Sequence, residues 1–355
     1  MTKMIDVHVH STLNNSVQAT VDIFKKVFSW TETERPLFLG LPEESKEMID
    51  LLQNLKTIFY KQYFQGYAFA GFIHDLRLSD ADAEKDFLKQ AETFKTAGFD
   101  GVKMLEGKPS MRKIYKRLVS DPIYDPFYSF MEENKMPITL HNADPASFWH
   151  KSQLSANAIK EGWYCGDGIS KDEMFEDVMN VMKKHPNLHL TLAHFGFTCD
   201  NISQAERFLG EYEYTMLDTT PGVKNFYDML QNWEIWHAFF LRYQDRIKYG
   251  TDTSNYEAET DEELKRMAMR PHTLQRRFFE GTEPFVGDGF ELSGVHLEEE
   301  VLKKIYYQNA LREYGEPREI NKAYVRQWLN EAKVTYGTNE KAICDLRFIE
   351  ANMEM

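Results

Sequence analysis

The chain has 355 residues, is 42% hydrophobic and 14% aromatic, and carries a formal net charge of −14. This apolar content supplies a large core and excludes a disordered chain, while the acidic balance and the lack of a Lys/Arg stripe exclude nucleic acid as a partner. No run of about 18 apolar residues exists to span a bilayer, no signal peptide is read at the start, and Cys165, Cys199 and Cys344 are scattered without CxxC spacing, so the expectation is a cytoplasmic protein with reduced thiols and no membrane partner.

The first predicted element is "MIDVHVH" (4–10). It carries Asp6, His8 and His10 at alternate positions, so strand alternation sets these three on one face and Ile5, Val7 and Val9 on the other. Further β-rich runs follow at "PLFLGL" (36–41), "YAFAGFI" (67–73), "DGVKMLE" (100–106), "MPITLH" (136–141), "LHLTLAH" (188–194), "YTMLDT" (214–219) and "RIKYGTD" (246–252). Helical segments lie between them. One opens at Ser45, another stops at Gly98, and a third begins with Ser170 and Glu173 in capping-box spacing and ends before Pro186. Strands alternating with helices predict a parallel sheet, and eight such units predict an α/β fold of the closed (β/α)8 TIM barrel type. After the eighth strand come a polar loop segment (253–296), a helix (297–315) stopped by Gly315, and residues 316–355, read as a further helix with a tail. The expected division is a barrel over 1–315 and a C-terminal helical extension over 316–355.

In such a barrel the chemistry collects at the C-terminal strand ends. Strand one ends in His8 and His10, strand five in His141, strand six in His194 and strand eight in Asp252, while strand four carries Lys103. Two histidines two residues apart on a strand are about 6.6 Å apart along it and can lean onto one ion. Taken alone, the pair reads equally as half-buried polar residues. Together with His141 and Asp252 it makes a nitrogen-rich site with one carboxylate and an open position, the pattern of a catalytic metal site. Lys103 reads as a cation that attracts a substrate carboxylate or pairs with an interior acid. At the rim, Arg77 is a candidate for an anionic substrate, with Asn142 and Trp149 as further substrate contacts. Asp144 reads as a helix cap, and His150, His272 and His296 as loop residues without a visible partner.

The ordered set "DVHVH", "ITLHNADP", "LTLAHFG" and "YGTD", with the closing "IYYQNALREYG", resembles the amidohydrolase superfamily, in its amidohydrolase-related (type 2) branch, over about residues 4–315. The resemblance implies one divalent ion, zinc first with manganese or iron as alternatives, held by His8, His10, His141 and Asp252. It makes Asp252 both ligand and base for the bound water, His194 a proton-transfer or polarising group, and Lys103 a possible carboxylated bridge. It also implies a hydrolase acting on an ester, lactone or amide of a small, carboxylated organic substrate. The same residues suit a nonoxidative decarboxylase of an aromatic or unsaturated acid. A phosphoesterase with a similar opening motif fits less well, because "TDTSNY" follows strand eight where an Asp-x-His pair is expected. A binding protein that retains the barrel is a further alternative, and a homo-oligomer remains open.

Overall fold

Each of the eight β-rich runs forms a strand in the computed structural model, which describes all residues except 1–2, 13, 42–48, 155, 161, 223 and 354–355. These are β1 (Met4–His10), β2 (Thr33–Leu39), β3 (Tyr67–Gly71), β4 (Gly101–Gly107), β5 (Ile138–Asn142), β6 (Leu190–Leu192), β7 (Thr215–Asp218) and β8 (Ile247–Lys248). Neighbours in sequence pair in parallel from β8 round to β1, and the short β9 (Thr253–Ser254) pairs with Val9 and His10 on the free edge of β1. Val7 N also donates to Tyr249 O at 2.9 Å. The segment 247–254 therefore bonds β7 at its start and β1 at its end, which closes the sheet. Helices connect the strands, as right-handed parallel crossovers require, and the fold is a mixed α/β barrel of the (β/α)8 type.

Alternation along the strands sorts the two faces. Phe38, Ala68, Val102, Met104, Ile138, Leu140, Leu190, Leu192, Leu217 and Ile247 share one apolar cluster with the inner faces of the surrounding helices. On the other side, Lys103, Thr139, His141, Thr191, Asp218 and Lys248 are buried and polar. The lower end of the interior is apolar: Ile5, Val7, Leu37, Leu39, Tyr67 and Phe69 pack with Ala310, Leu311 and Tyr314 of the helix Asn309–Tyr314. That plug leaves the opposite end of the strands as the open one.

β1 departs from simple alternation. Its register against β2 passes from Asp6 opposite Pro36 to Val9 opposite Phe38, so β1 holds one extra residue in a bulge. Below the bulge Ile5 and Val7 face the interior, whereas above it His8 and His10 do. Asp6 points outward instead of joining the histidines, and its neighbours there are Thr251 and His272. The bulge removes the His8 N–H from the ladder, and the Asp6 carboxylate accepts it at 3.1 Å.

Helix boundaries follow local chemistry. Ser79 caps Asp80–Ala97, which stops at Gly98 with φ +99°, and Ser170 with Glu173 forms a capping box on Lys171–Lys184. The predicted start of the second helix at Ser45 lies outside the described residues. The segment 253–296 is not a loop but the helix Asp261–Phe279 followed by the hairpin β10 (Pro284–Gly287) and β11 (Phe290–Ser293). His272 lies inside that helix, buried, with its Nδ1 2.6 Å from Tyr249 Oη. Residues 316–355 form two helices, Lys322–Thr335 and Glu340–Asn352, where one was expected. Their Val325, Trp328, Leu329, Leu346 and Ile349 join the barrel's own apolar cluster, and buried Asp345 pairs with Lys56 at 2.7 Å. Among the described residues no helix is long and apolar enough to cross a membrane.

Candidate metal centre

The bulge turns both β1 histidines toward one point at the open end of the barrel. His8 Nε2 and His10 Nε2 are 3.0 Å apart, and Asp252 Oδ1 stands 3.6 Å from the first and 3.3 Å from the second. Asp252 reaches them from the corner between β8 and β9, where it adopts a left-handed backbone with φ +61°, a conformation Asp tolerates better than most residues. Asp6 holds that corner, accepting from Thr251 Oγ1 at 2.5 Å and Thr251 N at 3.1 Å. The bulge thus positions both sides of the site.

The tautomers follow from the outer ring nitrogens. His10 Nδ1 lies 3.1 Å from the Leu39 carbonyl, which can only accept, so the ring proton sits on Nδ1. His8 Nδ1 lies 3.0 Å from Asp218 Oδ2, with Thr220 Oγ1 at 3.1 Å, and carries its proton in the same way. Burial pushes both imidazoles down, His10 to about 3, so each is neutral. Each Nε2 therefore presents a lone pair, and with Asp252 they form a set of three acceptor atoms within 4.8 Å of one another. Three converging acceptors need a cation among them. Lys103 Nζ, 3.4 Å from His8 Nε2, is the nearest partial answer, and burial pushes its pKa down to about 8. The donor set fits a first-row divalent ion, with outer partners of the kind that orient ligating histidines.

His194 comes from a strained turn. After β6 the backbone runs through His194, Phe195, Gly196 and Phe197 with φ of 55°, 58°, 59° and 50°, which costs the three non-glycine residues on the order of 1–2 kcal/mol each. Asp218 Oδ1 accepts from His194 N at 2.8 Å, and Asn225 Nδ2 donates to His194 O at 3.0 Å. The turn sets the His194 ring 5.1 Å from that of His8 and 4.9 Å from that of His141. A run of such residues beside the converging histidines is a pointer to function.

His141 stands beside the trio, not within it. Its Nε2 is 3.4 Å from Asp144 Oδ1, and burial pushes the Asp144 carboxyl up to about 7. Asp144 caps no helix: the short turn that follows is flanked by Pro145 and has no side-chain cap. Arg77 is folded onto Asp75 of its own loop through bonds of 2.7 and 2.6 Å. Asn142 Nδ2 donates to Met174 O at 3.3 Å, and Trp149 Nε1 to Ile169 O at 3.0 Å, so both pin neighbouring segments.

Sequence reasoning missed Asp218. It is fully buried at the end of β7 and holds three groups: the His8 ring, the His194 amide and the Thr220 amide at 3.1 Å. The usable signal was an acid ending a strand, in "YTMLDT". Asp218→Asn is expected to lower metal affinity about 10–100-fold, measured by competition with a chelating dye. Unchanged affinity would show that Asp218 does not support His8 as a ligand.

A cavity of about 400 Å³ opens beside Asp252, lined by Thr251 and by residues of the helix Asp261–Phe279. An amidohydrolase family model matches residues 62–315. β1 with its two histidines precedes the matched span. No curated protein matches the chain significantly by sequence. Among solved structures, 4-oxalomesaconate hydratase from Rhodopseudomonas palustris is 12% identical, with 95% of this chain and 99% of that one covered and a TM-score of 0.53. Dihydroxybenzoic acid decarboxylase from Polaromonas sp. JS666, solved with manganese and the inhibitor 2-nitroresorcinol, is 14% identical over 88% and 97%, TM-score 0.50. 5-Carboxyvanillate decarboxylase from Novosphingobium aromaticivorans DSM 12444, also with manganese, is 11% identical over 88% and 96%, TM-score 0.50. At these identities the likeness is one of fold.

Proposed function

The chain belongs to the amidohydrolase family, and from that premise we propose that it is a metal-dependent hydrolase cleaving an ester, lactone or amide bond of a small, carboxylated organic substrate. The observation that supports this reading is the convergence of one ligand atom each from His8, His10 and Asp252 within 4.8 Å of one another. His8, His10 and Asp252 would hold a divalent ion, zinc or manganese, with His141 the adjacent fourth candidate. When bound, such an ion polarises a substrate carbonyl and acidifies a water.

The chain's own groups supply the rest. Asp252 is half open to the cavity, with 47% of its side chain exposed. The protein packed on its other sides pushes its carboxyl upward, against the opposing charge of Lys103. It can accept a proton from water and return it to the leaving group. His194, kept neutral by burial and then by the nearby His141 and His8, would polarise the carbonyl or pass a proton. Lys103 balances the buried acids beneath the site.

Nonoxidative decarboxylation is the second reading, favoured by the decarboxylases of the same fold that hold manganese. An assay panel separates the two. Esters, lactones and amides are tested for cleavage beside aromatic acids for carbon dioxide release, with and without chelator. Chelator-sensitive cleavage is expected. Carbon dioxide release with no cleavage would overturn hydrolysis in favour of the decarboxylase reading.

A further inference from the structure

The cavity beside Asp252 holds one cation among its described lining residues, Arg270. Its volume, about 400 Å³, is that of a small-molecule site. Met267, Arg270 and Leu274 are spaced three and four residues apart on the helix Asp261–Phe279, so they share a face. Met267 and Leu274 give that wall an apolar surface, and Arg270 interrupts it. Opposite stands Asp288, first residue of the two-residue turn joining β10 to β11. Asp288 and Gly289 have φ of +52° and +84°, both positive as such a tight hairpin turn requires. The turn fixes the Asp288 carboxylate against the guanidinium, and Arg270 Nε and Nη2 donate to its Oδ1 at 3.0 and 2.6 Å. Both bonds go to a single oxygen, so the Nη1 side of the fork keeps its donors for another acceptor. The side chain is 70% exposed and open to a ligand.

We propose that Arg270 is the specificity-determining residue of this cavity: the substrate is a small organic acid whose carboxylate, remote from the bond that changes, docks on the Arg270 guanidinium. The proposal rests on the reading of this cavity as the substrate site of a metal-dependent enzyme. Arg77, the cation the sequence offers for that role, is not among the described residues that line this cavity. The guanidinium's planar fork matches a carboxylate in two bonds, which an ammonium cannot do. The apolar Met267, Pro271 and Leu274 that line the same cavity as Arg270 and Asp252 suit a hydrocarbon body, aromatic or unsaturated, between the acid and the reacting group.

The test is a calorimetric titration of the full-length, metal-loaded protein with 4-nitrobenzoate and with its neutral isostere 4-nitrobenzamide. The wild type should bind the acid roughly tenfold more tightly. Arg270→Gln should bring the two affinities to parity, and Arg270→Lys should keep part of the preference, with metal content and Tm unchanged in both variants. Equal affinities in the wild type, absence of binding by either probe, or a full acid preference in Arg270→Gln would overturn the proposal; the last would place the carboxylate on the metal instead. A wild type that prefers the acid through Arg270 but holds no stoichiometric metal would sink the metal reading alone.

Discussion

Asp252→Asn should lower turnover by about 10³-fold or more, because on the proposed mechanism one substitution removes both a ligand charge and the base beside the cavity. The variant isolates chemistry from folding. Asn adopts the left-handed backbone that Asp252 occupies, φ +61°, about as readily as Asp, and it keeps the side chain's shape. Its Tm should therefore stay within a few degrees of the wild type, while the rate on the best substrate of the cleavage panel collapses. A loss of less than tenfold in kcat, at full metal loading, would remove Asp252 from the proton-transfer role.

The His8→Ala, His10→Ala double variant should lose the bound ion and all detectable activity. Two of the three converging acceptors disappear, and a lone carboxylate that is 47% exposed holds a transition metal weakly. Removing the His8 ring also strips Asp218 Oδ2 of its 3.0 Å partner, and a buried carboxylate left short of a donor costs about 1–3 kcal/mol. His10→Ala alone is the gentler companion, since His10 donates only to a backbone carbonyl. It should fold normally and still lose most of its metal.

Much of the fold was legible because it rests on apolar periodicity. Ile138 and Leu140 face the helices and Thr139 and His141 the interior, as period two demands, and the strand ends could be read as a list of candidate ligands. Three features were not legible, two because a local backbone event overrides periodicity and one because composition hides a regular helix. The bulge in β1 inserts a residue without changing composition, so Asp6 reads as a third interior group although it faces Thr251. The left-handed run from His194 to Phe197 contains a single glycine, Gly196, and is sustained by Asp218, Asn225 and the packing of Phe195 on Trp236. The helix Asp261–Phe279 was concealed by Pro271 and by arginines on its outer side, although Thr260 caps it through Glu263 N. That concealment left Arg270 unread and made His272 read as a loop residue.

The site divides in the same way. His8, His10 and Asp252 were readable as candidates because histidine and aspartate at strand ends are rare enough to notice, and the structure brings them together; Asp218 carries no spacing signature, and the spacing of Asp6 with the histidines pointed to the wrong face of β1. His141 lies on β5 as the sequence indicates, and its Nε2 also stands 3.4 Å from Asp144 Oδ1, a contact set by the loop after β5 that no alternation rule describes.

Elemental analysis of protein purified without chelators tests the central claim most directly. One divalent ion per chain is predicted for the wild type, and none for the His8→Ala, His10→Ala variant. An ion-free but active wild type, or a double variant that keeps its full complement of metal, would contradict it.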